Sequence, residues 1–271
     1  MSGTLTQAGH TAATTEPRTT AAGRMKALGR AELTLLGRQK AGLVTLLVMP
    51  VVLTVASLSA AQGMDLEQYG LSLGTMLIPT ALTYVLIVSI YSTLVGTYVT
   101  RREELVLKRL RTGEPGDVEI LAGTSIAALS AGLAQCAVLL IAGVLLLDVD
   151  MPSNVLFVAG GVLLGTVLAL LLAAATACFT KSTEGAQLTI APVMFLSMFG
   201  SGLFFPLDAL PDTAATLCEL LPFSPVVELM RGGWTGSLSG TGALGAVAVA
   251  AAWIVLSVFT IRKWFRWEPR R

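Results

Sequence analysis

The sequence predicts an all-α, polytopic membrane protein: six transmembrane helices, an amphipathic helix before them, and an outer re-entrant hairpin between the last two spans. Three observations carry this. Hydrophobic residues make up 54% of the 271 residues and charged residues only 13%, whereas a soluble domain is about 25% charged. Mean hydropathy is +0.75. Six apolar runs reach the roughly 20 residues that a helical span requires. These features exclude an ordinary soluble enzyme and a disordered regulator. The net charge of +1 provides no basic field for nucleic acid. Cys136, Cys178 and Cys218 are too scattered for a disulfide framework or zinc site. The one histidine, His10, lies in a Thr/Ala-rich tail. No metal site or histidine-based catalysis is expected, and no catalytic residue is assigned.

Residues 1–23 read as a disordered cytoplasmic tail, polar and low in complexity. No cleavable signal peptide is expected, because the first apolar run starts near residue 41 and no cleavage site follows it. Residues 24–40 read as an amphipathic elbow helix. Met25, Leu28, Leu35 and Leu36 fall on one side, with Lys26, Arg30 and Arg38 on the other, as in a helix lying in the headgroup plane. Residues 41–262 form the six-span domain, with spans at 41–60, 71–100, 118–147, 155–179, 186–205 and 242–261. Residues 263–271 are a basic cytoplasmic tail.

The basic residues fix the expected topology. With the N-terminus inside, 17 of the 18 fall on the cytoplasmic side and only Arg231 falls outside, as the positive-inside rule requires. Both termini are therefore expected in the cytoplasm. The Ala, Leu, Gly and Val content suits a GC-rich bacterium, so the expected location is a bacterial plasma membrane.

Segment 101–115, RREELVLKRLRTGEP, is a short inner link written as a helix. Glu104 and Lys108 stand at i,i+4 in the favourable order. Val106, Leu107 and Leu110 form an apolar stripe, Gly113 can end the helix, and Pro115 stops it continuing. A charged loop that only sets topology is one reading. A docking helix for a soluble partner is the other, and the stripe favours it.

The linker 206–241 carries four prolines and four glycines. Residues 212–221 and 224–231 could each form a short helix, N-capped by Asp212 and Ser224. Leu203, Phe204, Phe205 and Leu207 hold its beginning at membrane depth. An outward re-entrant hairpin followed by an interfacial helix is expected.

No Asp, Glu, Lys or Arg occupies the centre of any span, which argues against a proton-driven carrier and against intramembrane proteolysis. Tyr84, Tyr91 and Tyr98 recur every seven residues and should share one face of the second span. They form either a packing stripe or an aromatic wall facing an amphiphilic substrate. Gln135, Met194 and Met198 carry the same two readings. Gly160, Gly161 and Gly165, with Gly200 and Gly202, should allow close helix packing, and Pro50, Pro79 and Pro192 should kink three spans. A transporter without buried charge needs outside energy, yet no G-x-x-x-x-G-K-[ST] loop is present. At Lys181-Ser182 the required glycines are replaced by Thr180 and Ala175. An ATPase would therefore be a separate chain.

Two motifs resemble the permease subunit of type 2 ABC exporters, close to the daunorubicin-resistance group of drug permeases. The first is RREELVLKRLRTGEP, with Glu103, Leu107, Leu110, Arg111 and Pro115 in register, though Leu105 and Val106 replace the family's Gly-Thr pair. The second is FLSMFGSGLFFPLDALP (195–211), followed by PFSPVVELMRGGWTG (222–236). The resemblance implies two permease copies in the lipid bilayer and two cytoplasmic ATPase subunits that hold ATP and Mg, with no cofactor on this chain. It implies a coupling helix of Glu103, Glu104, Leu107, Lys108, Leu110 and Arg111. It implies a substrate path between the two permeases, lined mainly by the first, second and fifth spans, and an outer gate formed by the hairpin. The candidate path residues are Tyr84, Tyr91, Gln135, Met194 and Met198, and the candidate gate residues are Phe204, Phe205, Pro206, Pro211 and Glu228. The expected cargo is a hydrophobic or amphiphilic small molecule, such as a drug or antibiotic. Lipid or polysaccharide export is the alternative, and a non-transporting scaffold the reading from another class.

Overall fold

The computed structural model describes residues 20–38, 52, 73–146, 151–203 and 211–268, and the regular structure among them is entirely helical. Helix α1 is Ala21–Arg38 and α2 spans residues 73–103. A turn leads to α3, Val106–Arg111, and then to α4, Asp117–Leu146. Next come α5, Val155–Phe179, and α6, Thr183–Gly200. The chain closes with α7, Asp212–Glu219, α8, Ser224–Thr235, and α9, Gly240–Trp264.

Four of these helices are long and apolar enough to cross a membrane: Leu77–Glu103, Asp117–Gly143, Val155–Phe179 and Gly240–Trp264. A 25-residue helix measures about 37 Å, against a hydrocarbon core of about 30 Å. The count becomes five if α7 and α8, bent by 97°, make one broken span. The expected first span, 41–60, lies outside the described residues. The expected fifth corresponds to the 18-residue α6, which is not among the four. Glu184, Gln187, Thr189 and Ser197 dilute its apolar character. The chain is a multi-pass, all-helical membrane protein.

Helix α2 lies at the centre. Leu82, Val85, Leu86, Ile87, Ile90, Leu94 and Val95 are fully buried. They pack against α4, α5 and α8 in one core. Its middle, Leu86–Ser92, is a π-helix. That wider turn shifts every side chain after it, which alters the predicted tyrosine face. The Tyr91 hydroxyl pairs with Thr176 Oγ1 of α5 at 3.1 Å, and its ring stands edge-on to Phe223. The Tyr98 hydroxyl donates to the Leu121 carbonyl of α4 at 3.2 Å. The two rings therefore reach different helices, and both are buried. Tyr84 is only partly buried.

Glycines set the closest approaches. A Cβ on Gly161 would lie 2.8 Å from Met230 Cγ, and one on Gly233 would lie 2.8 Å from Phe157 Cβ. These contacts seat α8 on α5. Gly160 faces open space, so only part of the predicted glycine stripe is an interface. Gly29 of α1 meets Ile126 and Gly123 of α4 meets Leu28, each inside normal Cβ contact. Helix α1 thus lies against α4, while Leu33 and Leu35 on α1 stay about half exposed.

The bent pair departs from expectation in detail. Helix α7 is exposed, but α8 is enclosed rather than interfacial, with Val226, Val227, Leu229, Met230 and Trp234 buried. Each helix starts one residue earlier than its predicted N-cap implies. Pro211 and Phe223 occupy the N-cap positions, and neither gives a side-chain cap. The Ser224 hydroxyl instead donates back to the Cys218 carbonyl at 2.5 Å, tightening the bend. At this end Asn154 caps α5, accepting from the amides of Leu156 and Phe157 at 3.1 and 3.2 Å. Its own amide donates to the Gly233 carbonyl at 2.8 Å.

Candidate functional site

Among the described residues, the basic end of the bundle gathers several ion pairs and buried polar contacts. Helix α2 stops at Glu103 because Leu105 adopts φ 60°, a left-handed conformation costly for a branched side chain. The predicted single helix over 101–115 is therefore two pieces. Glu104 sits in the turn, and Lys108 pairs with Glu268 at 2.9 Å instead.

The turn also decides which residues can face a partner. Leu107 is fully buried, and Val106 and Leu110 are half-buried. The apolar stripe expected to dock outward anchors α3 to its own bundle, because it faces α2 and α4. Glu104, Lys108, Arg109 and Arg111 are exposed, as is Leu105 at 38%. Arg111 donates to Asp117 Oδ1 at 3.1 Å and lies 5.0 Å from the Trp267 ring centroid.

Two adjacent residues join α2 to both helices of the α5–α6 turn at the same end. Arg102 is 1% exposed. Its Nη1 donates to the Ala177 carbonyl at 2.9 Å and its Nη2 to the Thr180 carbonyl at 2.5 Å. Its positive charge thus sits at the C-terminus of α5, the negative end of that helix dipole. Glu103 turns the other way. Its Oε2 accepts from the Thr183 amide at 3.3 Å and from the Thr183 hydroxyl, placing negative charge at the N-terminus of α6. Ser182 completes that cap by accepting from the Gly185 amide at 3.2 Å. A cation and an anion, one residue apart, clasp the two ends of the α5–α6 turn. Any rotation of the α2–α3 turn must pull on both helices.

A second clasp holds α1. Arg24 donates from Nε to Glu119 Oε2 at 2.9 Å and from Nη2 to Oε1 at 3.0 Å, a bidentate pair. Glu114 lies 3.6 Å away. The Glu119 carboxylate holds the guanidinium above its ordinary pKa. Exchanging the two charges, Arg24→Glu with Glu119→Arg, should restore the heat resistance that either single reversal lowers, as read by thermal unfolding in detergent.

The sequence-predicted pathway residues do not converge on one lining. Gln135 is 1% exposed and accepts from the Ser89 hydroxyl at 2.7 Å, so it ties α4 to α2. Tyr91 lies in the core. Tyr84, Met194 and Met198 are partly buried. Helix α6 also turns an apolar face outward, with Leu188 80%, Phe195 55% and Phe199 58% exposed. Of the expected gate, Phe204, Phe205 and Pro206 lie outside the described residues. Pro211 and Glu228 are exposed. Among the described residues, no group of three or more His, Cys, Asp or Glu could hold a metal.

Sequence reasoning missed Arg102, which reads like any inner-end arginine. The signal was its spacing. It follows Tyr98 by four residues and Val95 by seven, on the buried face of α2. Thr180 and Thr183 had no signal, because their role is set by a neighbour about 80 residues away in sequence.

Comparison with known proteins identifies the family. No curated protein matches the chain. A family profile described as ABC-2 type transporter matches residues 23–234. That range runs from α1 through nearly all of α8 and includes both clasps, so well over half of the chain is covered. The chain belongs to the ABC-2 type transporter family, whose domains are the membrane-spanning components of ABC transporters and not their ATPases.

Proposed function

We propose that this chain is the permease subunit of an ATP-driven exporter in a bacterial plasma membrane, with both termini cytoplasmic. Two copies pair, and an ABC ATPase docks on the basic end of each. ATP and Mg belong to that partner, and this chain supplies no catalytic residue. The cargo is a hydrophobic or amphiphilic small molecule of the drug or antibiotic class. The daunorubicin-resistance-like motifs around 103–115 and 195–236 support that subgroup.

One observation carries the coupling role. The α2–α3 turn presents Glu104, Lys108 and Arg109 outward while Arg102 and Glu103, just before it, hold the ends of α5 and α6. A partner gripping the turn therefore moves three helices together. Orientation follows from charge. Arg24, Arg102, Lys108, Arg111 and Lys263 share one end, while Arg231 stands at the other with the α7–α8 bend. A basic end on the cytoplasmic side satisfies the positive-inside rule. We assign the substrate path to the partly buried side of α6, where Met194 and Met198 adapt to varied apolar shapes, and to Tyr84 on α2. The outward apolar face of α6 serves pairing with the second copy.

The test is co-purification of an ABC ATPase from host membranes, identified by mass spectrometry. The variant is Lys108→Glu with Arg109→Glu, since both side chains are exposed and their loss should leave the fold intact. Wild type should retain the ATPase and the variant should lose it. Retention by both would refute the docking surface. No ATPase with either would refute the exporter reading.

A further inference from the structure

At the end opposite the clasps, the α7–α8 bend, the C-terminus of α6 and the start of α9 enclose a cavity of about 580 Å³. That volume lies within the roughly 300–1,000 Å³ of small-molecule sites. Its floor is apolar, with Val227 and Ala246 buried there. Its rim carries two exposed carboxylates, Glu219 and Glu228. Arg231 also lines it, its Nη2 donating to the Gly202 carbonyl at 2.5 Å, so the lining carries two carboxylates against one guanidinium.

A second feature points to a ligand independently of the acidic rim. Ser201 lines the same cavity and is 1% exposed, yet its hydroxyl has no hydrogen-bond partner among the described residues. An unpaired buried hydroxyl costs free energy, and a polar group entering the cavity would relieve it. Small residues keep the space open. An added Cβ on Gly245, which also lines the cavity, would meet nothing within 4 Å.

We infer that this cavity binds a monocationic amphiphile, its charge held by Glu228 and Glu219 and its apolar body on Val227 and Ala246. A neutral molecule would leave the carboxylates unused, and with two carboxylates against the one Arg231 guanidinium the lining is net negative and disfavours an anion. The inference names the substrate class of the proposed permease and rests on that reading. Binding is nevertheless measured on the permease alone, so its failure is distinct from failure to recruit an ATPase.

The experiment uses the full chain in phosphatidylcholine nanodiscs, with empty nanodiscs subtracted. The probes are radiolabelled tetraphenylphosphonium and tetraphenylborate, which share shape and differ in charge. Wild type should bind the cation in preference to the anion. Glu228→Gln should weaken cation binding about fivefold, the upper end for a partly screened pair. Gly245→Phe should abolish it by filling the space, while thermal unfolding stays near wild type. Equal binding of both probes would overturn the inference. So would cation binding that both substitutions leave unchanged, or no saturable binding of the cation to wild type.

Discussion

Arg102→Ala should lower the thermal stability of the chain more than any other single change at its basic end. The guanidinium is almost wholly buried and satisfies two carbonyls at the end of α5. Hydrogen bonds to a charged group are each worth about 1.5–3 kcal/mol, and a buried acceptor left without a partner adds its desolvation cost. A loss of about 3 kcal/mol is expected, which lowers Tm by roughly 6–12 °C for a chain of this size. Arg102→Lys should fall between the two, because an ammonium is a point charge that cannot reproduce the fork spanning both carbonyls. The change should also uncouple. With the partner ATPase present, transport per ATP hydrolysed should fall for Arg102→Lys even at temperatures where it stays folded. A Tm within about 2 °C of wild type for Arg102→Ala, a shift expected from under 1 kcal/mol, would show that the clasp does not hold the α5–α6 turn.

Gly165→Leu should be the second most damaging change, and Gly160→Leu on the same helix should be harmless. A Cβ on Gly165 would come within 2.5 Å of Leu86 Cδ1 and 2.8 Å of Val226 Cγ1. It would drive α5 from both the π-helical part of α2 and the buried α8. Overpacking of this kind costs about 1–3 kcal/mol, roughly 2–12 °C in Tm. At Gly160 nothing lies within 4 Å, so an added side chain gains helix propensity of up to about 1 kcal/mol. Thermal unfolding of the two variants side by side is the check. Equal Tm values would mean that α5 does not pack as described. Both glycines occur in one run of apolar sequence, and nothing in that run tells them apart.

The helices themselves were legible. The fourth span was placed at 155–179 and the helix is Val155–Phe179. Those limits follow from an apolar run ending at Asn154 on one side and at Thr180-Lys181 on the other. The third and sixth spans fall within a few residues of α4 and α9 for the same reason. The two short helices of the last linker were also placed, at 212–221 and 224–231 against Asp212–Glu219 and Ser224–Thr235, although the predicted caps Asp212 and Ser224 are not the ones used.

What failed was whatever depends on a neighbour. The tyrosine face assumed an unbroken α-helical period, and the π-helix at Leu86–Ser92 removed it. No local composition announces that turn, since Leu86, Ile87 and Ile90 suit either winding. The apolar stripe of 106–110 was read as facing outward. A stripe has the same period whether it meets a partner or its own bundle, and Leu107 is buried.

By itself, then, the sequence determined the class, most of the long helical segments and the segregation of basic charge to one end. These follow from hydropathy and charge, which are local sums along the chain. Tertiary structure alone decided that Arg102 and Glu103 clasp α5 and α6, that Gly161 and Gly165 are contacts while Gly160 is not, and that Ser201 opens on a cavity. Each depends on atoms far apart in sequence meeting within a few ångströms, and no local pattern encodes which of many similar side chains will meet.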